Sequence, residues 1–200
     1  AGARSGEIVV AEITDPPTPH RGPLGTVRAV LGQRLQPSLV VEMAIASHDL
    51  PHEWPPQVVR QAEEVEPKVS AAERKGRVDL RDLPLVTIDG EDARDFDDAV
   101  YAEPLKGGGF RLIVAIADVS HYVPVGTPLD TEAYERSTST YFPGFVVPML
   151  PETLSNGICS LNPRVDRLCM VCDMDVDDQG EVQQSKFYEA VMFSHARLTY

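Results

Sequence analysis

Six carboxylates lie within one ten-residue stretch, from Asp89 to Asp98, between two apolar segments. Carboxylates this close repel one another, and burial makes their charged forms still less favourable. Arg94 can neutralise only one of them. Divalent cations are the expected compensation, because Mg²⁺ binds carboxylate oxygens and keeps positions open for water and for a substrate phosphate. The composition of this acidic segment therefore favours a metal centre over a merely solvated acidic loop.

The spacing of the aspartates indicates what such a centre could do. Asp89 ends an apolar run, and Gly90 allows a turn after it. Alternation along an extended chain then places Asp95 and Asp97 on one side and Asp98 on the other. Such a segment could hold two metal ions, which together act on the attacking and the leaving oxygen of a phosphodiester. From the residues alone, metal-assisted phosphoryl chemistry and a solvated loop both stay open.

Strands must position the acidic segment. Residues 83–88 precede it and residues 99–102 follow it, and both runs are apolar and of strand length. Residues 111–119 form a nearly unbroken apolar run, which predicts a strand buried on both faces. Four further elements are predicted: a helix capped by Thr127 over residues 128–136, a short helix over 151–156 stopped by Gly157, and strands over 169–176 and 181–187.

The first fifty residues have the pattern of a small β-domain. Apolar runs of strand length cover residues 7–13, 25–31 and 39–46, and turn residues separate them. Three short antiparallel strands suit part of an OB-fold barrel, which needs about five. We therefore expect the chain to begin inside that domain. A helix over residues 57–66, ended by Pro67, and a polar linker follow.

Charge and cysteine content limit the class of protein. The formal net charge of −13 is unusual for a nucleic-acid-binding protein. Residues 1–40 nevertheless contain four arginines against three acidic residues, so the net negative charge lies beyond residue 40. Three cysteines, two of them in the predicted strand 168–172, argue against a disulfide scaffold and fit the reducing cytoplasm. No apolar run approaches the roughly 20 residues of a membrane span.

A resemblance to the ribonuclease II/R (RNB) family is carried by residues 86–100, VTIDGEDARDFDDAV. It continues through further blocks: VAIADVS (114–120), YFP (141–143), PMLPE (148–152), LSNG (154–157) and CSLNP (159–163). Upstream, HDLPHEWP (48–55) resembles the end of that family's second cold-shock domain. The similarity covers essentially the whole chain.

This resemblance implies roles for particular residues. Asp89, Asp95, Asp97 and Asp98 match the four catalytic aspartates of the family, which hold Mg²⁺, or Mn²⁺ in its place, around the scissile phosphate. Tyr141 matches the tyrosine that stacks on the nucleotide at the RNA 3′ end. The activity implied is processive 3′→5′ hydrolysis of single-stranded RNA, rather than DNA, with release of nucleoside 5′-monophosphates.

The expected architecture is mixed α/β. We expect a partial OB-fold in residues 1–52, a helix and linker in 53–80, and the N-terminal part of an α+β catalytic domain in 81–200. The family's catalytic domain is longer, so we expect a fragment whose own activity is an open question. A non-catalytic RNA-binding or interaction module of the same fold is the alternative, and the presence of all four aspartates favours the enzyme.

Overall fold

The computed structural model describes residues 2–33 and 36–200. It contains two compact units: one runs to Glu53 and includes Thr140–Val147, and the other comprises Trp54–Ser139 and Pro148–Tyr200. Each unit contains both strands and helices, so the predicted mixed α/β class is confirmed. None of the helices in these residues is long and apolar enough to cross a membrane.

The first unit contains an antiparallel pair, β1 (Ile8–Asp15) and β2 (Leu24–Gly32), as predicted. The strands are joined by a proline-rich connection, and Arg28 on β2 forms an ion pair with Glu12 on β1. Helix α1 (Pro37–Ser47) follows.

Helix α1 corrects one prediction, because residues 39–46 were expected to form a third strand. A short apolar run is compatible with a strand or with a buried helix, and periodicity alone does not separate them. Pro37 occupies the first helical turn, where its missing N–H is not needed. The run also contains Glu42, Met43 and two alanines, which favour a helix over a strand.

The second unit is built on a seven-stranded sheet. Its strands are β3 (Val78–Asp79), β4 (Val86–Asp89), β5 (Asp98–Pro104), β6 (Phe110–Ala117), β9 (Asp166–Val176), β10 (Val182–Phe193) and β11 (Ala196–Thr199). Their order across the sheet is β11-β4-β5-β6-β9-β10-β3. Neighbouring strands are antiparallel, except for the parallel pairs β11–β4 and β10–β3. The strands expected around the acidic segment, and the hairpin between β9 and β10, are therefore confirmed.

Strand β6 corrects a second prediction, since it is not buried on both faces. Ile113, Ala115 and Ala117 point into the core, whereas Ile116 on the other face is 46% exposed. The period of two is that of an antiparallel strand with one covered face. The apolar residues on the outer face concealed this alternation in the sequence.

Helices cover part of the sheet. They are α2 (Pro56–Glu63), α3 (Val119–Tyr122) and α4 (Pro128–Arg136), followed by a π-helical turn over Thr153–Ile158. The predicted start of α4 is confirmed, because the Thr127 side chain accepts a hydrogen bond from the backbone N–H of Asp130. The helix expected at 151–156 is this π-helical turn, and Gly157 interrupts it with a non-helical backbone.

The hairpin β7 (Thr140–Phe142) and β8 (Phe145–Val147) groups with the first unit. Its strands are antiparallel and pair Tyr141 with Val146. The turn between them contains Gly144 at a φ of 74°, a left-handed conformation that glycine adopts without a steric penalty.

A buried ion pair connects three central strands of the second unit. Arg111 on β6 donates to both carboxylate oxygens of Asp173 on β9, at 2.9 and 2.8 Å. Two groups on β10 also contact the Asp173 carboxylate. The Lys186 ammonium lies 3.2 Å from it, and the Tyr188 hydroxyl donates a hydrogen bond of 3.0 Å to it. Hydrogen bonds from Arg111 are the main reason that the pKa of Asp173 is lowered to about 2.

This ion pair predicts how stability depends on pH. The folded-state pKa of Asp173 lies below that of an unfolded aspartate, so its contribution is present above about pH 4 and is lost as the pH falls towards 2. Asp173→Asn should lower the free energy of unfolding by about 2 kcal/mol at pH 7, and by much less at pH 2.5.

Urea denaturation at the two pH values measures both effects. Asp175→Asn removes the same charge from the same strand and serves as the control, with an expected change below about 0.5 kcal/mol. An equal loss in both variants, or a loss for Asp173→Asn that does not shrink at low pH, would contradict the assignment.

Candidate metal centre

The acidic segment joins β4 to β5 at the edge of the core of the second unit. Asp89 is the last residue of β4, and its side chain accepts a hydrogen bond of 2.7 Å from the N–H of Gly90. The chain then turns, with the Ala93 N–H bonded to the Gly90 carbonyl at 3.1 Å. Asp98 begins β5 and pairs with Ile116 of β6. The sheet therefore determines where both ends of the segment lie.

Phe96 anchors the middle of the segment. Its side chain is 3% exposed and packs in the core with Leu85, Ala99 and Leu161. Asp95 and Asp97 flank this inward-pointing ring, and Asp95 is half-buried while Asp97 is exposed. Burial of Phe96 directs its neighbours Asp95 and Asp97 away from the core, and Asp98 is exposed as well.

Hydrogen bonds to the backbone hold the segment against the sheet. The Asp97 carbonyl accepts from the Ala117 N–H at 2.8 Å, and the Phe96 carbonyl accepts from the Leu161 N–H at 2.8 Å. On the other side, Arg197 of β11 donates to the carbonyls of Gly90 and Glu91.

The charges of three of the predicted aspartates act on the fourth, Asp97. Loss of hydration around its carboxyl group raises the pKa of Asp97, and the charges of Asp95, Asp98 and Asp89 raise it further, in that order. Asp97 is exposed by its accessible surface, but the protein atoms around the carboxyl group are dense enough to weaken its hydration. The structure therefore places the Asp97 carboxyl group within reach of the charges of the other three aspartates.

Their chemistry fits a hard divalent cation. All four offer carboxylate oxygens, the ligands that Mg²⁺ and Mn²⁺ prefer, and a cation would relieve the repulsion at Asp97. Within residues 2–33 and 36–200, however, no three His, Cys, Asp or Glu side chains form a preassembled set of metal ligands. Among the described residues, the four carboxylates therefore do not form a ready-made coordination shell.

A cleft of about 540 Å³ adjoins the segment and is lined by Arg94 and Phe96 on one side and by Asn156 and Asn162 on the other. None of the four aspartates belongs to its lining, so the carboxylates lie outside it. Arg197 also borders the cleft, with its guanidinium 4.9 Å from the centre of the Phe96 ring.

The remaining predicted site residue, Tyr141, lies on β7 in the first unit and is 63% exposed.

The cysteines are all free, and Cys169 and Cys172 lie within β9, as predicted.

Comparison with known proteins identifies the family. Residues 77–200 match the RNB domain, and residues 1–55 match a cold shock domain. The chain belongs to the RNB family. The sequence is 61% identical over 200 residues to ribonuclease R of Vibrio cholerae and 58% identical over 199 residues to ribonuclease R of Escherichia coli K12. Each alignment covers 100% of this chain and 24% of the relative, so the chain spans about a quarter of their length.

The fold agrees with the same family. The structure of Mycoplasma genitalium RNase R in complex with double-stranded RNA superposes with a TM-score of 0.92 at 35% sequence identity. The match covers 99% of this chain and 35% of that one. Together with the cold shock and RNB matches, this likeness confirms the predicted fold class, an OB-fold cold-shock part followed by an RNB part.

Proposed function

We propose that the intact protein is a Mg²⁺-dependent exoribonuclease that degrades RNA hydrolytically and processively from the 3′ end, releasing nucleoside 5′-monophosphates. Membership of the RNB family and the identity to ribonuclease R enzymes support an exoribonuclease. A related RNase R has been solved with bound RNA, which supports RNA as the substrate. We expect single-stranded 3′ ends to be bound, and we expect the enzyme to act in the cytoplasm, where free thiols persist.

One observation carries the proposal: the charges of three aspartates act on a fourth, on a segment whose backbone is hydrogen-bonded to the rest of the fold. The raised pKa of Asp97 shows that Asp89, Asp95 and Asp98 act on it together. A merely solvated loop would let such charges move apart, whereas here the backbone of the segment is hydrogen-bonded to β6 and to Leu161. The arrangement therefore favours a cation-binding centre over a solvated acidic loop.

Each part of the segment has a task in this proposal. Asp89, Asp95, Asp97 and Asp98 would hold the ions by their carboxylate oxygens. Bound Mg²⁺ or Mn²⁺ would supply positive charge for the scissile phosphate and lower the pKa of a coordinated water. Asp97 and Asp98 are the exposed members of the set and can reach a phosphate arriving from solvent. Phe96, held in the core, keeps the ligands facing outwards.

Replacement of Asp97 by Asn tests the function. The amide keeps the shape of the side chain but is a poorer ligand for a divalent cation. Hydrolysis of an end-labelled RNA by the intact protein should fall by about 100-fold or more, because metal stabilisation of developing charge is worth several kcal/mol. The Kd for RNA should stay within about threefold, since affinity depends on phosphate contacts and base stacking elsewhere.

Asp92→Asn removes the same charge from the same segment and is the control, with expected turnover close to that of the unmodified protein. Near-normal hydrolysis by Asp97→Asn would remove Asp97 from the centre. An unmodified protein that binds RNA tightly and never hydrolyses it, with Mg²⁺ or Mn²⁺ present, would favour the alternative of a non-catalytic RNA-binding module.

We expect base stacking on Tyr141 to set the length of the final RNA product. Stacking of one base on an aromatic ring is worth about 1–3 kcal/mol, which is enough to retain a short RNA but does not itself drive hydrolysis. Tyr141→Ala should leave the rate on long RNA nearly unchanged and should change the size of the smallest RNA left behind. Products of an end-labelled oligonucleotide, separated at single-nucleotide resolution, measure that size.

The matched control is Tyr134→Ala, which removes an 83% exposed tyrosine from α4. Its end product should be the same as that of the unmodified protein. If Tyr141→Ala also leaves the end product unchanged, the stacking role is wrong.

A further inference from the structure

The Ser160 hydroxyl bridges two peptide groups of the acidic segment, one on each side of Asp95. It accepts a hydrogen bond of 2.9 Å from the N–H of Phe96 and donates one of 3.0 Å to the carbonyl of Arg94. Ser160 is fully buried, at 0% exposure. The next residue adds a third bond, from the Leu161 N–H to the Phe96 carbonyl at 2.8 Å.

Ser160 is itself held in place by a buried arginine on β9. The Arg167 side chain donates to the Ser160 carbonyl at 2.7 Å and to the Gly157 carbonyl at 3.0 Å. It also donates to the carbonyl of Asp166 at 2.9 Å. Arg167 is 7% exposed, and these three carbonyls satisfy a charge that would otherwise be costly to bury. A continuous chain of hydrogen bonds therefore leads from a central strand, through Ser160, to the backbone around Asp95.

The fixed backbone around Asp95 matters because the carboxylates repel one another. Asp95 is held through its neighbours by Ser160, and Asp97 is held because its carbonyl accepts a hydrogen bond from the Ala117 N–H. The two anchors use different elements, the loop after the π-helical turn and strand β6. Without the Ser160 hydroxyl, the buried N–H of Phe96 would lose its partner, and the Asp95 end of the segment would be free to move away from Asp97.

We propose that Ser160 is a positioning residue, which holds Asp95 at the distance from Asp97 that cation binding and phosphodiester hydrolysis require. This inference rests on the proposed function and assigns a role to a residue that touches neither the metal nor the RNA. Alanine fills nearly the same volume as serine but can neither accept from Phe96 nor donate to Arg94. Ser160→Ala therefore removes the bridge and leaves the core around it filled.

Ser194 offers a matched control. It is 1% exposed, and its hydroxyl donates to the Ala196 carbonyl at 3.1 Å, outside the acidic segment. Ser194→Ala removes one buried hydroxyl from the same unit, so the two variants should show similar decreases in Tm. Any difference between them in metal binding then reports on the acidic segment and not on general stability.

Two measurements on the intact protein test the role of Ser160. In the metal-free protein, amide hydrogen exchange over residues 89–98 should be about tenfold faster in Ser160→Ala and unchanged in Ser194→Ala, since one buried hydrogen bond with its unpaired partner corresponds to that factor. The Mn²⁺ concentration for half-saturation, followed by electron paramagnetic resonance, should rise by about tenfold in Ser160→Ala alone. The Mg²⁺ concentration for half-maximal hydrolysis should rise in parallel, with the KM for RNA unchanged.

Equal exchange rates and equal Mn²⁺ affinities in the two variants would overturn the inference, whatever the change in Tm. Should Ser160→Ala fail to fold, Ser160→Cys retains a weaker donor and acceptor at the same position. A severalfold loss of Mn²⁺ affinity in Ser160→Cys would support the role, and unchanged affinity would overturn it. An unmodified protein that binds Mn²⁺ but hydrolyses no RNA would refute the proposed function alone, because exchange and Mn²⁺ affinity still decide the role of Ser160.

Discussion

Electrostatic repulsion at Asp97 is the interaction that the fold of the second unit must oppose. The charges of Asp89, Asp95 and Asp98 act on the carboxyl group of Asp97, and the surrounding protein weakens the hydration of that group. A free chain would relieve this repulsion by spreading apart. Here the ends of the segment are strands β4 and β5, and the middle is held by the buried ring of Phe96 and by hydrogen bonds to its backbone. The sheet thus maintains an arrangement that is unfavourable in the absence of a cation.

Several arginines of this unit stabilise the scaffold. Arg111 pairs with Asp173, Arg77 pairs with Asp118 at 2.6 Å, and Arg167 donates to backbone carbonyls. Arg197 contacts the acidic segment, but through carbonyl oxygens and the face of Phe96. These arginines therefore fix strands and loops. In the proposed function, a divalent cation would supply the positive charge that an anionic substrate requires near the aspartates of a chain with a net charge of −13.

The sequence was sufficient to predict the family, the fold class and several strands, but not every element of the scaffold. The aspartates could be found because they lie within ten residues of one another and between two recognisable strands. Helix α1 was mistaken for a strand because its apolar run is short and has no clear period. The outer face of β6 was expected to be buried because Ile116 and its neighbours are apolar, although the strand is covered on one face only.

Ser160 illustrates what sequence reasoning missed. It lies within the block CSLNP, which contributed to the family resemblance, but its contact with Phe96 spans 64 residues. Arg167 and Arg77 are similar cases, since each looks like an ordinary surface charge in the sequence and is buried in the fold. Such roles arise from tertiary contacts between residues far apart in the sequence, such as Arg77 with Asp118 and Arg167 with Gly157.

The most direct test of this account is the location of the cation itself. Crystals of the intact protein grown with Mn²⁺ and measured near the manganese absorption edge would show the ion as an anomalous difference peak. We expect a peak within bonding distance of the carboxylate oxygens of Asp97 and of at least one of Asp89, Asp95 and Asp98. At a Mn²⁺ concentration that saturates the protein in solution, anomalous peaks found only elsewhere, with the four carboxylates making no contact to metal, would contradict it.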